Sequence, residues 1–153
     1  MVKTLFLDSS ALIKRYVLEK GSQELRHYLT DTETPTLILS QITQAELYSA
    51  IMRRHREGTF ASVAVETFEE VFKQHNSLEY NVINISQPVV DQAVRLLKTH
   101  SLRTADAIQL SCCLTAKRRL PKKNADTFEF LCADKRLIEA ALSENLEVVD
   151  FIG

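Results

Sequence analysis

The sequence has little that would staple, break or anchor it. Its 153 residues include only three cysteines, three glycines and three prolines. Cys112, Cys113 and Cys132 are odd in number and show no CxxC spacing, which argues against a disulfide framework and a zinc site and leaves them as small core residues. His27, His55, His75 and His100 are scattered without HxxxH or HxH spacing, so nothing indicates a histidine-bound transition metal. No apolar run approaches the length of a bilayer span, and the N-terminal apolar segment, interrupted by Asp8, is too short for a secretory signal; a cytoplasmic protein is expected. Low-complexity segments, internal repeats and linker-like stretches are absent. An excess of one charge is missing too. With 19 basic and 20 acidic groups, the chain does not advertise nucleic-acid binding as a strongly basic one would.

What is present fits a single domain over residues 1–153. A chain of this length buries most of its apolar surface unaided, and 45% hydrophobic with 25% charged residues is ordinary globular composition.

The pattern starts with KTLFLDSSALIKRY, Lys3 to Tyr16, an apolar run ending in a carboxylate. Val2 and Leu5 to Leu7 read as a buried strand, and Ser9 to Val17 as a helix beginning at once. Gly21 reads as a C′ residue closing that helix, with Ser22 capping a short helix to Leu29. Pro35 introduces a second strand, Thr36 to Ser40. Helices follow from Thr43 to Arg56 and, past Gly58, to about Gln74. Further strands are expected at Tyr80 to Ile85, Thr127 to Ala133 and Leu146 to Phe151. Helices are expected at Ser86 to Lys98, Arg103 to Leu120 and Lys135 to Leu142. Strands alternating with helices or helix pairs mean parallel pairing, so the fold class is a three-layer α/β sandwich with about five parallel strands.

One acid lies at or just beyond four of the strand-to-helix junctions: Asp8, Glu46, Asp106 and Asp134. In an open parallel sheet, ligands gather outside the carboxyl ends of the strands, where these residues fall. Each also has a purely structural reading. Asp8 and Asp134 suit N-caps, Thr43 to Glu46 fits a capping box, and Asp106 suits the helix dipole for about 0.3–1 kcal/mol. Those readings do not explain why Glu46 and Asp106 sit among alanines and leucines, where an unpaired carboxylate is costly. Carboxylates crowded together raise one another's pKa unless a hard cation such as Mg²⁺ or Mn²⁺ holds them ionised, and oxygen-only ligation selects such ions over zinc.

LDSSALIKRYVLEKGS, ITQAELYSA, LRTADAIQLS and ADKRL together resemble a PIN domain over nearly the whole chain. The resemblance implies a Mg²⁺- or Mn²⁺-dependent ribonuclease, the toxin of a VapBC-type toxin–antitoxin pair. Its partners would be an RNA substrate, a cognate antitoxin and a second copy of the chain. Asp8, Glu46, Asp106 and Asp134 then correspond to the family's acidic quartet, both catalytic and metal-binding, and Ser10 to the hydroxyl supporting the first acid. Cys132 departs from the family, which often has Thr or Ser two residues before the last acid.

Such a nuclease needs basic groups near its acids. The sequence offers Lys14 and Arg15, Arg53 and Arg54, and a cluster from Lys117 to Lys123 that lies about 20 Å from Asp106 along its helix. Phe60, Val63, Val65, Phe68, Val71 and Phe72 give the helix expected after Gly58 more apolar surface than one core face needs, which suggests self-association. Two other functions compete. A non-catalytic PIN-fold module would bind RNA or protein without cutting, and a phosphatase of the haloacid dehalogenase type would require a second Asp where Ser10 stands.

Overall fold

A computed structural model describes residues 2–30 and 33–153, with the side chains of residues 125 and 126 left aside. The elements run β1 (Thr4–Leu7), α1 (Ser9–Tyr16), α2 (Ser22–Thr30), β2 (Thr36–Ser40), α3 (Thr43–Arg56), α4 (Ser62–Leu78) and β3 (Tyr80–Ile83). They continue with α5 (Gln87–Thr99), α6 (Thr104–Arg119), a 3₁₀ segment (Lys122–Thr127), β4 (Phe128–Cys132), α7 (Lys135–Ser143) and β5 (Val148–Asp150). The five strands form one all-parallel sheet in the order β3-β2-β1-β4-β5.

The period-two alternation of the strands divides the core into two layers. Leu5, Leu7, Leu37 and Leu39 face α1 to α4, while Phe6, Ile38, Phe128 and Phe130 face α5 to α7. Helices therefore cover both faces, as an all-parallel sheet requires, and the three-layer α/β expectation holds. α6 is buried along most of its length, from Ala107 to Cys113 and at Thr115 and Ala116. Cys112, Cys113 and Cys132 are buried free thiols. Among the described residues no helix is long and apolar enough to cross a membrane.

Five local expectations change. Gly21 does not close α1, which ends at Val17 in extended conformation. It lies in the turn before α2, where Ser22 Oγ accepts from Glu19 N at 2.9 Å and donates to Val17 O at 2.8 Å. Gly21 has φ +88°, and a Cβ there would stand 2.6 Å from the Phe151 carbonyl oxygen, so only glycine fits. α4 runs on to Leu78 because no breaker precedes β3. β3 stops at Ile83, β4 spans Phe128–Cys132, and β5 is only three residues long.

The chain winds outward from β1 through β2 to β3, then returns to the other side of β1 for β4 and β5. The strand order thus reverses between β1 and β4, and the crevice outside their carboxyl ends is where this class of fold binds ligands. Asp8 follows β1 directly, and Asp134 lies two residues past β4.

Candidate functional site

Asp8 is the N-cap of α1 and only 3% exposed, so the capping and site readings describe one residue. Its Oδ1 accepts from Ala11 N at 3.0 Å, and Ser10 Oγ lies 2.8 Å from each carboxylate oxygen. Cys132 Sγ stands 3.5 Å from Oδ2 and donates to it, while Asp134 N donates to the same sulfur at 3.4 Å. The thiol thus bridges the first and last acids where the family often has a hydroxyl. Burial pushes the Asp8 carboxyl up to about 7, against the lowering effect of these donors and with the Glu46 charge adding to the rise.

Glu46 does not close a capping box. The cap of α3 is Ile42, one residue earlier than Thr43, and the Ile42 N–H goes to Ser40 Oγ at 3.3 Å. Glu46 is therefore one position past the box and turns instead toward α6, where Gln109 Nε2 donates to its Oε1 at 2.6 Å. Burial raises its pKa, the Gln109 amide and Ser9 side chain lower it, and the Asp106 charge raises it further. Asp106, near the start of α6, accepts the Arg103 N–H at 3.4 Å. Its pKa is raised by burial and then by the charge of Asp134, with Arg103 and Arg136 opposing. Asp134 caps α7 through Oδ1, which accepts from Arg136 N at 3.0 Å and Leu137 N at 3.3 Å.

The four acids form a chain of like-charge neighbours, Asp8 to Glu46 to Asp106 to Asp134, at the carboxyl edge of the sheet. Among the described residues no three histidine, cysteine, aspartate or glutamate side chains converge tightly enough to make a ready ligand set. Their donor chemistry nevertheless suits a hard divalent cation. The groups are carboxylates, three of them have raised pKa values, and oxygen donors of this kind are the ones that Mg²⁺ and Mn²⁺ take.

A cleft of about 560 Å³ opens beside Ser9, Ser10, Glu46 and Ala133 and reaches Arg53, Arg54 and Arg103. The basic groups singled out in the sequence divide here by what already holds them. Lys14 is buried and its Nζ donates to Lys20 O at 2.5 Å and Glu19 Oε1 at 3.3 Å. Arg15 donates to Tyr80 Oη and Glu79, and Arg54 donates to Glu19 at 2.9 Å. Arg53 remains exposed at the cleft, where the structure adds a second exposed guanidinium, that of Arg103. In the distant cluster, Lys117 donates to Asn145 O and Arg118 to Gln92. Sequence reasoning missed Arg103 and Gln109. Arg103 precedes a helix start and resembles a surface residue; Gln109 could have been noticed as a lone amide in the apolar run Ala107 to Leu114.

The sequence matches the family model described as PIN domain over residues 5–121, a span that includes three of the acids and ends before Asp134. No curated protein matches the chain. Several solved structures share the fold. A toxin-antitoxin complex from Klebsiella pneumoniae is 18% identical with TM-score 0.61, covering 95% of each chain. FitAcB from Neisseria gonorrhoeae is 15% identical with TM-score 0.64, covering 94% of this chain and 95% of the other. PAE2754 from Pyrobaculum aerophilum is 17% identical with TM-score 0.62, covering 99% and 85%. The family match spans most of the sequence and the sheet has the same architecture as these structures: the chain belongs to the PIN domain family.

Proposed function

We propose that this protein is a Mg²⁺- or Mn²⁺-dependent endoribonuclease, its 153 residues acting as one unit in the cytoplasm, and the toxin of a toxin–antitoxin pair. The observation that carries the reading is the setting of Glu46. Its sequence suits a capping box, yet its carboxylate is held by Gln109 beside Asp106 and Asp8. Helix capping alone gives no reason to gather these charges, since each adds repulsion that the native state must absorb.

In this reading Asp8, Glu46, Asp106 and Asp134 hold the ion. Bound there, it supplies Lewis acidity toward the scissile phosphate and a water acidic enough to attack near neutral pH. The chain's own groups do the rest. Ser10 orients the Asp8 carboxylate and takes the Ala133 N–H at 2.9 Å, tying the first acid to the loop before the last. Arg53 and Arg103 offer guanidinium groups to the phosphates of a single strand lying in the cleft. The products would carry a 5′-phosphate and a 3′-hydroxyl.

An antitoxin partner is supported by fold analogy, since similar structures include the toxin-antitoxin complex from Klebsiella pneumoniae and VapBC2 from Rickettsia felis bound to a promoter DNA fragment. A homodimer is supported by α4. Phe68 and Phe72 pack inward, while Val63 is 69% exposed beside the half-buried Phe60 and Val71. The phosphatase alternative loses ground, because Ser10 stands where that chemistry requires a second Asp, and its hydroxyl is committed to Asp8 and to the Ala133 N–H.

The test is cleavage of single-stranded RNA by purified protein with Mg²⁺ or Mn²⁺. Asp8→Asn and Asp106→Asn should remove most activity with the fold intact, and Asp134→Asn should only reduce it. The proposal is falsified if these variants, prepared alongside wild type, cut the same RNAs at the same rate. The separation of the acids favours one second reading, a non-catalytic RNA-binding module. It takes over if wild type binds RNA but never cuts across substrates and both metals.

A further inference from the structure

Gln109 is 1% exposed, in the middle of a helix whose neighbouring side chains are apolar. Its Nε2 uses both hydrogens on α3, donating to Thr43 Oγ1 at 2.9 Å and to Glu46 Oε1 at 2.6 Å. Its Oε1 has no hydrogen-bond partner and is shielded from water. A buried amide with an orphaned oxygen is a costly choice where leucine or methionine would fill the space. Turning the amide over would not help, since the oxygen would then face the Glu46 carboxylate across 2.6 Å, acceptor against acceptor. Only the orientation that orphans the oxygen gives Glu46 a donor.

The helix geometry says what that donor achieves. Asp106 lies three residues before Gln109, on the same side of α6. α6 thus presents one acid directly and fixes a second, on another helix, through an amide. Glu46 has no cap to return to, because the Ile42 N–H is already taken by Ser40. Without Gln109, a half-buried carboxylate repelled by its neighbours would rotate out toward the water of the cleft.

We propose that Gln109 is a positioning residue that holds the Glu46 carboxylate in place for the divalent cation, and that its orphaned oxygen marks a bond given up for that task. The inference rests on the proposed metal site. Residues that orient metal-binding carboxylates typically change metal affinity about 10–100-fold when replaced.

The experiment compares wild type and Gln109→Met by Mn²⁺ titration calorimetry and by melting temperature in EDTA. Methionine keeps length and volume but removes both the donor and the orphan. Mn²⁺ affinity should fall about tenfold or more, while the melting temperature in EDTA stays level or rises. Equal Mn²⁺ affinity in the two proteins overturns the proposal and leaves the metal site standing. A drop in melting temperature with unchanged affinity assigns Gln109 to the core and overturns it too. Absence of Mn²⁺ binding by wild type overturns the metal site itself, and this role with it. Gln109→Leu is a second filler should methionine fail to pack, and failure of both to fold also counts against the proposal.

Discussion

Ser10 Oγ accepts the backbone N–H of Ala133 at 2.9 Å while its own proton points at the Asp8 carboxylate, 2.8 Å from either oxygen. One hydroxyl therefore fastens the end of β4 to the first turn of α1. Ser10→Ala should orphan a backbone donor and remove a carboxylate donor together, at a cost of about 1–3 kcal/mol, whereas Ser10→Thr keeps the hydroxyl. Chemical denaturation of the three proteins measures this; equal stability of the alanine variant would show the hydroxyl to be idle.

The raised pKa of Asp8 gives the metal-free protein a defined pH dependence. The folded value, about 7, lies above that of an unfolded aspartate, about 3.8. The folded state therefore binds the proton more tightly, and stability present at acid pH is lost as pH rises through 7. Asp8→Asn still caps α1 and should flatten that loss, making it the more stable protein at pH 8 in EDTA. His75 works in the opposite direction, since burial and Arg15 lower its pKa. Its contribution is lost as pH falls below the usual histidine value. Melting temperatures of both proteins from pH 5 to 8.5 isolate the Asp8 part, and parallel curves would contradict it.

Addition of Mn²⁺ or Mg²⁺ at pH 8 should reverse the loss. At a hundredfold excess over Kd the gain is about 2.7 kcal/mol, roughly 5–10 °C for a chain of this size. Calorimetry with EDTA-stripped protein as reference provides the check, and an unchanged melting temperature would remove the main support for a metal site.

Arg53→Ala and Arg103→Ala should each weaken binding of single-stranded RNA and lower the slope of log affinity against log salt by about 0.7 for each phosphate no longer neutralised. Arg54→Ala should leave the slope alone, because its guanidinium is already committed to Glu19. Loss of the Glu19 pair, partly exposed, should cost less than about 1 kcal/mol. Fluorescence anisotropy across a salt series tells the three apart.

Val63→Glu, at an exposed apolar position in the first turn of α4, should turn a homodimer into a monomer without loss of stability. Wild type sedimenting as a monomer at micromolar concentration, free of any partner, ends the proposal.

Much of this fold was readable in one dimension. Proline and glycine punctuation at Pro35, Gly58 and Pro121, with apolar runs between, placed β2 and α3 at their observed bounds and the other elements within a few residues. Three of the four acids were readable because each follows a strand, Asp8 after β1, Glu46 in the helix after β2 and Asp134 after β4, whereas Asp106 opens a helix that follows another helix, α5. The residues' commitments were not, since they depend on what the sheet brings alongside. The Thr43 to Glu46 spacing matched a capping box, but the cap formed at Ile42 and Gln109, 63 residues on, took the carboxylate. Lys14, Arg15 and Arg54 looked free because their partners, Glu19, Glu79 and Tyr80, join them only through turns and the sheet.

The placement of β4 beside β1 also sets a timetable for synthesis. Asp8 N donates to Leu131 O at 3.2 Å, and Ser10 awaits Ala133, so the setting of the first acid is completed by residues made more than 120 positions later. A nascent chain that has reached the end of α6 already carries Asp8, Glu46 and Asp106 but lacks the strand that closes the crevice around them. Because pairing between strands distant in sequence is intrinsically slow, no copy of this protein can assemble the site until the ribosome has made the chain as far as Ala133, however early the first three acids emerge.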